Sequence, residues 1–326
     1  MDNYYFKILT IENLPELKIL FKAAFNSEPK ENVLQWKYFM NPAGNAILAG
    51  VFYKMDLVGF GAMIPEKVSM WGREELIYKC TDLMTHPTHQ KKGLSKKINE
   101  LLIEKTKELK TPFSYTLCSK ISTKSFIKNK WIFIEEVINF FKPYVLLKAT
   151  VIFKKTDLKA FHVYNAIENH LDEYKFNEDS TKIAVQKNAR YLQWRTSNPN
   201  FTYKVICSYN NEKKINGYLI YSISVNKLLN VIDMECDTSN KVIRSQLLNY
   251  AEYIVVKEKL KGILVMTIKN SPFYNFIKSK KYLSNPFSKG PLKTILDFDI
   301  YIFDKNKISI NNTIHWDFYG LSYDDI

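Results

Sequence analysis

Thr81-Asp82-Leu83-Met84-Thr85-His86-Pro87-Thr88-His89-Gln90-Lys91-Lys92-Gly93-Leu94-Ser95-Lys96-Lys97-Ile98 runs a strand-like segment straight into a basic, glycine-containing turn and then into a helix. A turn of this kind suits a pyrophosphate. The N–H groups of a first helical turn have no partner within the helix and point at an anion, the helix dipole favours negative charge, and Gly93 lets the backbone approach without a Cβ in the way. Lys91, Lys92, Lys96 and Lys97 add positive potential around it.

Working outward, residues 93–109 carry Leu94, Ile98, Leu101, Leu102 and Leu109 at helical spacing, and 113–118 reads as the next strand. Strand, loop, helix, strand predicts a parallel crossover. Upstream, residues 46–53 and 57–64 read as two strands around the Lys54-Met55-Asp56 turn and 75–84 as a third, an antiparallel meander. Residues 14–25 predict a helix that buries Leu17, Leu20, Phe21 and Ala24, with Asn13 as its cap and Pro15 just inside. A short helix over 123–128 and an aromatic strand over 131–141 complete a mixed α/β unit around one sheet.

The chain contains a faint copy of this unit. Gln35-Trp36-Lys37 followed by Asn41-Pro42 returns as Gln193-Trp194-Arg195 followed by Asn198-Pro199, and Gly59-Phe60 returns as Gly217-Tyr218. Thr81-Asp82-Leu83-Met84 has its counterpart in Ile232-Asp233-Met234-Glu235, and Phe126-Ile127-Lys128 in Phe276-Ile277-Lys278. The offsets of 158, 151 and 150 residues from the Trp, Asp and Phe pairs are what duplication of a unit of about 150 residues leaves behind after small deletions. The expected boundary falls within 145–165, near Lys154-Lys155-Thr156-Asp157, giving domains 1–150 and 151–326.

Length and composition agree with a folded two-domain chain. The 326 residues are 46% hydrophobic and 25% charged, enough to bury a sizeable core. The four cysteines show no C-x-x-C spacing, which disfavours a disulfide framework or thiolate zinc site and favours reduced thiols in a cytoplasm. The start, Met1-Asp2-Asn3-Tyr4-Tyr5-Phe6-Lys7, lacks the apolar stretch of a secretory signal, and no apolar run approaches the roughly 20 residues of a membrane span. A net charge of +14 favours an anionic partner. Arginine stands only at 73, 190, 195 and 244, however, and lysine lacks the fork that reads bases, so phosphate is favoured over sequence-specific nucleic acid.

The stretch around Gln90-Lys91-Lys92-Gly93-Leu94-Ser95 resembles the GNAT superfamily of acyl-coenzyme A N-acyltransferases, whose motif is Gln/Arg-x-x-Gly-x-Gly/Ala opening a helix after a strand and a His-Pro-like turn. Ser95 replaces the final Gly or Ala, a mild change in volume. The resemblance covers residues 5–145 and implies an α/β (mixed α+β) fold of two GNAT-like domains, each a mixed, largely antiparallel sheet flanked by helices. It also implies acetyl-coenzyme A as co-substrate, without a metal. Gln90, Lys91, Lys92, Gly93, Leu94 and Ser95 would hold the pyrophosphate, and Leu83, Met84 and Thr85 the thioester end, where a backbone N–H polarises the carbonyl. Asp82 is the candidate base for the acceptor amine. Phe126 stands where the family often has an acid Tyr, which leaves Tyr115 as the candidate phenol at the sulfur.

In the second half, Asp237 to Ser245 contains no glycine at the matching place, so that half is expected to complete the acceptor cleft or hold the first domain's shape. The acceptor expected is a primary amine of a small metabolite, with an amino sugar as the leading example. Two other readings stay open at this point: a peptide-bond former that uses aminoacyl-tRNA, whose long helical hairpin is missing here, and a non-catalytic coenzyme A-binding protein. His86 and His89 read as solvent-facing turn residues. His162, His170 and His315 are scattered singly, and no His-Glu-x-x-His exists. Gly59-Phe60-Gly61 begins a dinucleotide fingerprint that fails at Ile64.

Overall fold

The computed structural model describes residues 3–151, 161–165, 171, 174, 182–236, 241–269, 271–284, 296–308 and 315–317. Lys154-Lys155-Thr156-Asp157, His170 and 237–240 of the second-half turn lie outside them. The first half comprises β1 (Tyr4–Ile8), α1 (Leu14–Phe25), α2 (Glu31–Phe39), β2 (Ile47–Tyr53), β3 (Asp56–Met70), β4 (Arg73–Thr85), α3 (Leu94–Glu108), β5 (Phe113–Ser119), α4 (Lys120–Lys128) and β6 (Ile132–Pro143). The second comprises α5 (Tyr144–Val151), β7 (Phe161–Tyr164), β8 (Lys182–Val185), α6 (Ala189–Thr196), β9 (Tyr203–Tyr209), β10 (Ile215–Ile223), β11 (Leu228–Cys236), α7 (Lys241–Lys257), β12 (Gly262–Ile268), α8 (Pro272–Ser279), β13 (Leu283–Ser284), β14 (Leu296–Ile302) and β15 (His315–Asp317). The fold is mixed α/β with a largely antiparallel sheet, as expected.

Local chemistry accounts for the helices that matter. α1 begins with Pro15 in its first turn, buries Leu14, Leu17, Leu20 and Phe21, and ends at Asn26 in the left-handed conformation that a short polar side chain tolerates. α3 buries Leu94, Ile98 and Leu102, whereas Leu109, expected on the same stripe, lies past the helix end and is exposed. Gly59 and Gly61, on β3, let this helix lie close on the sheet. A Cβ on Gly61 would stand 3.0 Å from Ile98, Leu102 and Leu83 side-chain carbons. The two glycines therefore serve packing.

The strands form one sheet in the order β1-β2-β3-β4-β5-β14-β6-β12-β11-β10-β9-β7. It is a near-palindrome. The β2-β3-β4 meander of the first half is answered by β9-β10-β11 of the second, and the crossover strands β4/β5 and β11/β12 are each parallel. Between the halves, β14 from the end of the chain inserts beside β5, while β6 from the first half pairs with β12. Each half thus lends the other a strand. The hydrophobic core follows, because Val68, Ile77, Phe113 and Tyr115 share one cluster with Ile183, Tyr218, Ile220 and Phe298.

The repeat also appears in the detail. Asn41 Oδ1 accepts from Ala43 N at 2.9 Å and Asn198 Oδ1 from Asn200 N at 3.0 Å, the same Asx turn twice. Trp36 and Trp194 stack on each other with ring centroids 5.1 Å apart. Trp36 Nε1 donates to Trp194 O at 2.7 Å and Trp194 Nε1 to Trp36 O at 3.1 Å. Equivalent residues that bond reciprocally mark a local two-fold relation between the halves.

Candidate functional site

β4 leaves the sheet at Thr85. His86, a 3-10 turn over Pro87–His89 and residues 90–93 then carry the chain to α3. Gly93 occupies the N-cap position with φ +73° and Lys91 has φ +61°. No side chain caps the helix. Its first intrahelical bond is Lys97 N to Gly93 O, so the N–H groups before it are the orphan donors every helix start presents. Gln90, Lys91, Lys92, Gly93, Lys96 and Lys97 are exposed around that point, Ser95 is half-buried and Leu94 is anchored in the core. The expected anion-binding residues therefore come together at an uncapped, lysine-flanked helix N-terminus.

β4 and β5 pair only at Tyr78↔Ser114 and Lys79↔Tyr115, although both strands continue beyond. The open side of this split faces the carboxyl ends of both strands, the place where α/β sheets bind ligands. A bulge contributes to the split. The register of β3 on β4 slips between Phe60 and Ala62, and Asp82 takes φ +55°, a bend that an Asp tolerates better than a branched residue. Beyond it Leu83 packs with the cluster under α3 and Met84 with the one under α1, while Thr85 is half-buried.

Asp82 has close partners. Its Oδ2 accepts from Tyr38 Oη at 2.6 Å and stands 2.8 Å from Lys37 Nζ, a lysine that is only 1% exposed. In the second half Asp233 gathers the same residue types from non-equivalent positions, its carboxylate meeting Lys187 at 2.6 Å and accepting from Tyr218 Oη at 2.7 Å. Neither trio was apparent in the sequence, because Lys37 and Tyr38 lie more than forty positions upstream of Asp82.

Tyr115 is placed differently from expectation. It is 0% exposed in the core shared by the two halves, and its hydroxyl donates to Glu66 Oε2 at 2.5 Å. Its proton is committed away from any open groove. Phe126 is buried edge-on against Trp131. The histidines also depart from their reading as solvent-facing. His86 is half-buried and its Nδ1 accepts from Thr88 N, while His89 packs between Tyr4 and Tyr53 with Nδ1 2.8 Å from Tyr4 Oη. Burial, then the Lys92 charge, holds the His89 imidazole below its ordinary range, which keeps it neutral at pH 7.

A second polar cluster lies beside β5. Asp297 and Asp299 on β14 are buried under α4, where Thr123 Oγ1 donates to Asp297 Oδ2 at 2.7 Å and Cys118 Sγ to Asp299 Oδ2 at 3.4 Å. Their Oδ1 atoms have no hydrogen-bond partner among the described residues. Burial pushes the Asp299 carboxyl up to about 6, with the Asp297 charge adding to the rise and the Cys118 and Thr123 donors opposing it. In the unfolded chain an Asp titrates near 3.9, so between about pH 4 and pH 6 the folded protein binds the extra proton. Stability accordingly falls as pH rises through that window. Asp299→Asn is expected to raise stability by roughly 2 to 3 kcal/mol at pH 8 and to leave it nearly unchanged at pH 4, from about 1.4 kcal/mol per pKa unit. Urea denaturation at both pH values checks this, and an equal effect at the two would defeat it.

The four cysteines are free and buried, and burial pushes the Cys80, Cys118, Cys207 and Cys236 thiols up, so none is poised as a thiolate. Among the described residues no three His, Cys, Asp or Glu side chains stand together as a metal site, and no helix is long and apolar enough to cross a membrane.

Residues 6–123 match the family model described as an acetyltransferase (GNAT) domain. This part of the chain is similar to a GNAT domain. The match includes α3, the turn before it and the β4/β5 split. No curated protein matches the sequence significantly. Solved structures extend the likeness of fold across both halves. A conserved protein from Enterococcus faecalis, described as a probable N-acyltransferase of unknown function, superposes with a TM-score of 0.69 at 12% identity, over 93% of this chain and 74% of that one. A tandem GNAT protein from the clavulanic acid biosynthesis pathway gives 0.61 at 9% identity, over 92% and 99%. N-myristoyltransferase from Saccharomyces cerevisiae, solved with bound myristoyl-CoA, gives 0.59 at 10% identity, over 93% and 79%. At these identities the likeness is one of fold alone.

Proposed function

We propose that this chain transfers an acetyl or other short acyl group from its coenzyme A thioester to a primary amine of a small metabolite, an amino sugar being the leading example, in the cytoplasm. The observation that carries the proposal is the uncapped N-terminus of α3, flanked by Lys91, Lys92, Lys96 and Lys97, at the open end of the β4/β5 split. The donor chemistry fits coenzyme A: orphan N–H groups and lysines for a pyrophosphate, and a gap between strands for a slender extended arm. Gln90 to Ser95 hold the pyrophosphate in this reading, and Leu83, Met84 and Thr85 hold the thioester.

In the proposed step the amine nitrogen bonds to the acyl carbon, the carbon–sulfur bond breaks with its electron pair going to sulfur as thiolate, and the proton that the attacking nitrogen sheds as the amide forms passes to that thiolate. A backbone N–H near Met84 and Thr85 receives the charge that develops on the carbonyl oxygen. An ammonium with a pKa of about 10.4 must first lose a proton, and Asp82, held in place by Lys37 and Tyr38, is the proposed acceptor. A thiolate of pKa about 8.5 leaves without an acid, so the committed Tyr115 proton and the absent phenol at Phe126 do not forbid turnover. Residues 1–150 form the catalytic domain in this reading and 151–326 complete it, which the pairing of β14 with β5 supports.

The test is calorimetric titration of the full chain with coenzyme A, followed by an acetylation assay over a panel of primary amines. Saturable binding with turnover of at least one amine is the expected result. Absence of binding refutes the proposal, and binding without turnover on any amine refutes its catalytic half.

A further inference from the structure

The turn that leads into α3 is held by little of its own backbone. The N–H groups of Lys91, Lys92 and Gly93 donate to no backbone carbonyl among the described residues, and Lys91 and Gly93 both take positive φ. Side-chain ties reach the turn from β1, at the edge of the sheet. Tyr4 Oη accepts from Lys92 Nζ at 3.0 Å and lies 2.8 Å from His89 Nδ1. An ammonium has donors only, so the phenol oxygen is the acceptor in the first bond, and its single proton goes to His89 Nδ1 in the second. The neutral His89 imidazole has a bare nitrogen to receive it. Tyr4 stands opposite Tyr53 in the β1/β2 ladder with ring centroids 5.1 Å apart, and His89 packs on the two rings at 5.7 and 5.0 Å. The hydroxyl therefore sits on a platform fixed by two paired strands, and it bonds the turn on either side of Gln90 and Lys91.

We infer that Tyr4 is a positioning residue of the proposed pyrophosphate site, presetting the turn through His89 and the Lys92 ammonium through its own hydroxyl. The inference rests on the coenzyme A reading above and adds to it a residue from the far edge strand. A lysine that swings freely in water must give up its rotamer freedom to hold an anion, and for a long side chain that loss is large. Bonded to Tyr4, with its Nζ also 5.7 Å from the centre of the ring, Lys92 has lost much of that freedom before a ligand arrives. Its other N–H donors stay available to phosphate oxygens. Tyr4 itself touches no ligand in this account and acts through the two residues it holds.

The experiment is calorimetric titration of the full chain with coenzyme A and, separately, with inorganic pyrophosphate. Tyr4→Phe keeps the ring platform and removes only the hydroxyl, and it is expected to weaken both ligands about tenfold, as loss of a hydrogen bond and of the preset lysine predicts. Lys92→Met removes the ammonium, and in that background Tyr4→Phe should weaken them by only about threefold or less, because the two residues act as a pair. In the acetylation assay Tyr4→Phe should raise KM for acetyl-coenzyme A with kcat unchanged, a split that general loosening of the fold does not produce. Equal affinity in the parent and Tyr4→Phe overturns the inference. An equal loss in both backgrounds, or a fall in kcat at constant KM, overturns it as well. If coenzyme A fails to bind while pyrophosphate binds and depends on Tyr4, the acyl-transfer reading falls and the positioning of an anion site stands. If neither ligand binds the parent, both fall.

Discussion

Gly93→Asp is expected to abolish coenzyme A binding while leaving the protein folded. Gly93 sits at the N-cap of α3 with φ +73°, exposed, where the orphan N–H groups of the helix point outward. A carboxylate placed there stands within about 4 Å of any phosphate the helix holds, and at an effective dielectric of about 20 one such repulsion is worth about 4 kcal/mol, roughly a thousandfold in affinity. The backbone cost is smaller. Asp visits the left-handed region more readily than most residues, so the folded state loses about 1 kcal/mol. Gly93→Asn separates the two effects, having the same size and backbone strain without the charge, and it should bind coenzyme A within about tenfold of the parent. Titration calorimetry with circular dichroism on the free variants decides. If Asp and Asn behave alike, charge at Gly93 is irrelevant and the pyrophosphate is held elsewhere.

Most of the first half was legible because its signals are local. The helix over 14–25, the meander and the strand-turn-helix-strand around Gly93 each announce themselves by periodicity, caps or turn residues within a few positions, and the structure places them within a few residues of expectation. What escaped depends on partners far along the chain. Leu296-Asp297-Phe298-Asp299-Ile300-Tyr301-Ile302 alternates as a strand should, yet nothing in those seven residues says that they pair with Phe113 to Ser119, over 170 positions earlier. Tyr115 looked available as a phenol because Glu66, which holds its hydroxyl, lies on another strand 49 positions away. Asp82 reads as a candidate base from the sequence, whereas the Lys37 ammonium beside it comes from a helix that the sequence pattern leaves unassigned.

Trp36→Ala is expected to cost about 3 to 5 kcal/mol of stability, the range for deleting a buried large aromatic side chain. Trp36 is 2% exposed, stacks on Trp194 at an interplanar angle of 20°, and lies 5.5 Å from the Arg195 guanidinium carbon. The substitution also strips Trp194 O of its indole donor, leaving a carbonyl to find water. Trp36→Phe keeps much of the apolar area and loses that donor, so it should cost about 1 to 2 kcal/mol, and the difference between the two variants measures burial apart from the hydrogen bond. Because each tryptophan bonds to the other's backbone, Trp36→Ala and Trp194→Ala should not add. Once one ring is gone the second has already lost its stacking partner, and the coupling energy in a double-mutant cycle should reach about 1 kcal/mol or more. Lys37, the next residue, pairs with Asp82, the proposed base, so loosening α2 at Trp36 should also lower turnover at temperatures where the variant remains folded. Additive losses in the cycle would mean that the two halves meet here without depending on each other. Full activity in folded Trp36→Ala would separate the interface from the Lys37–Asp82 pair.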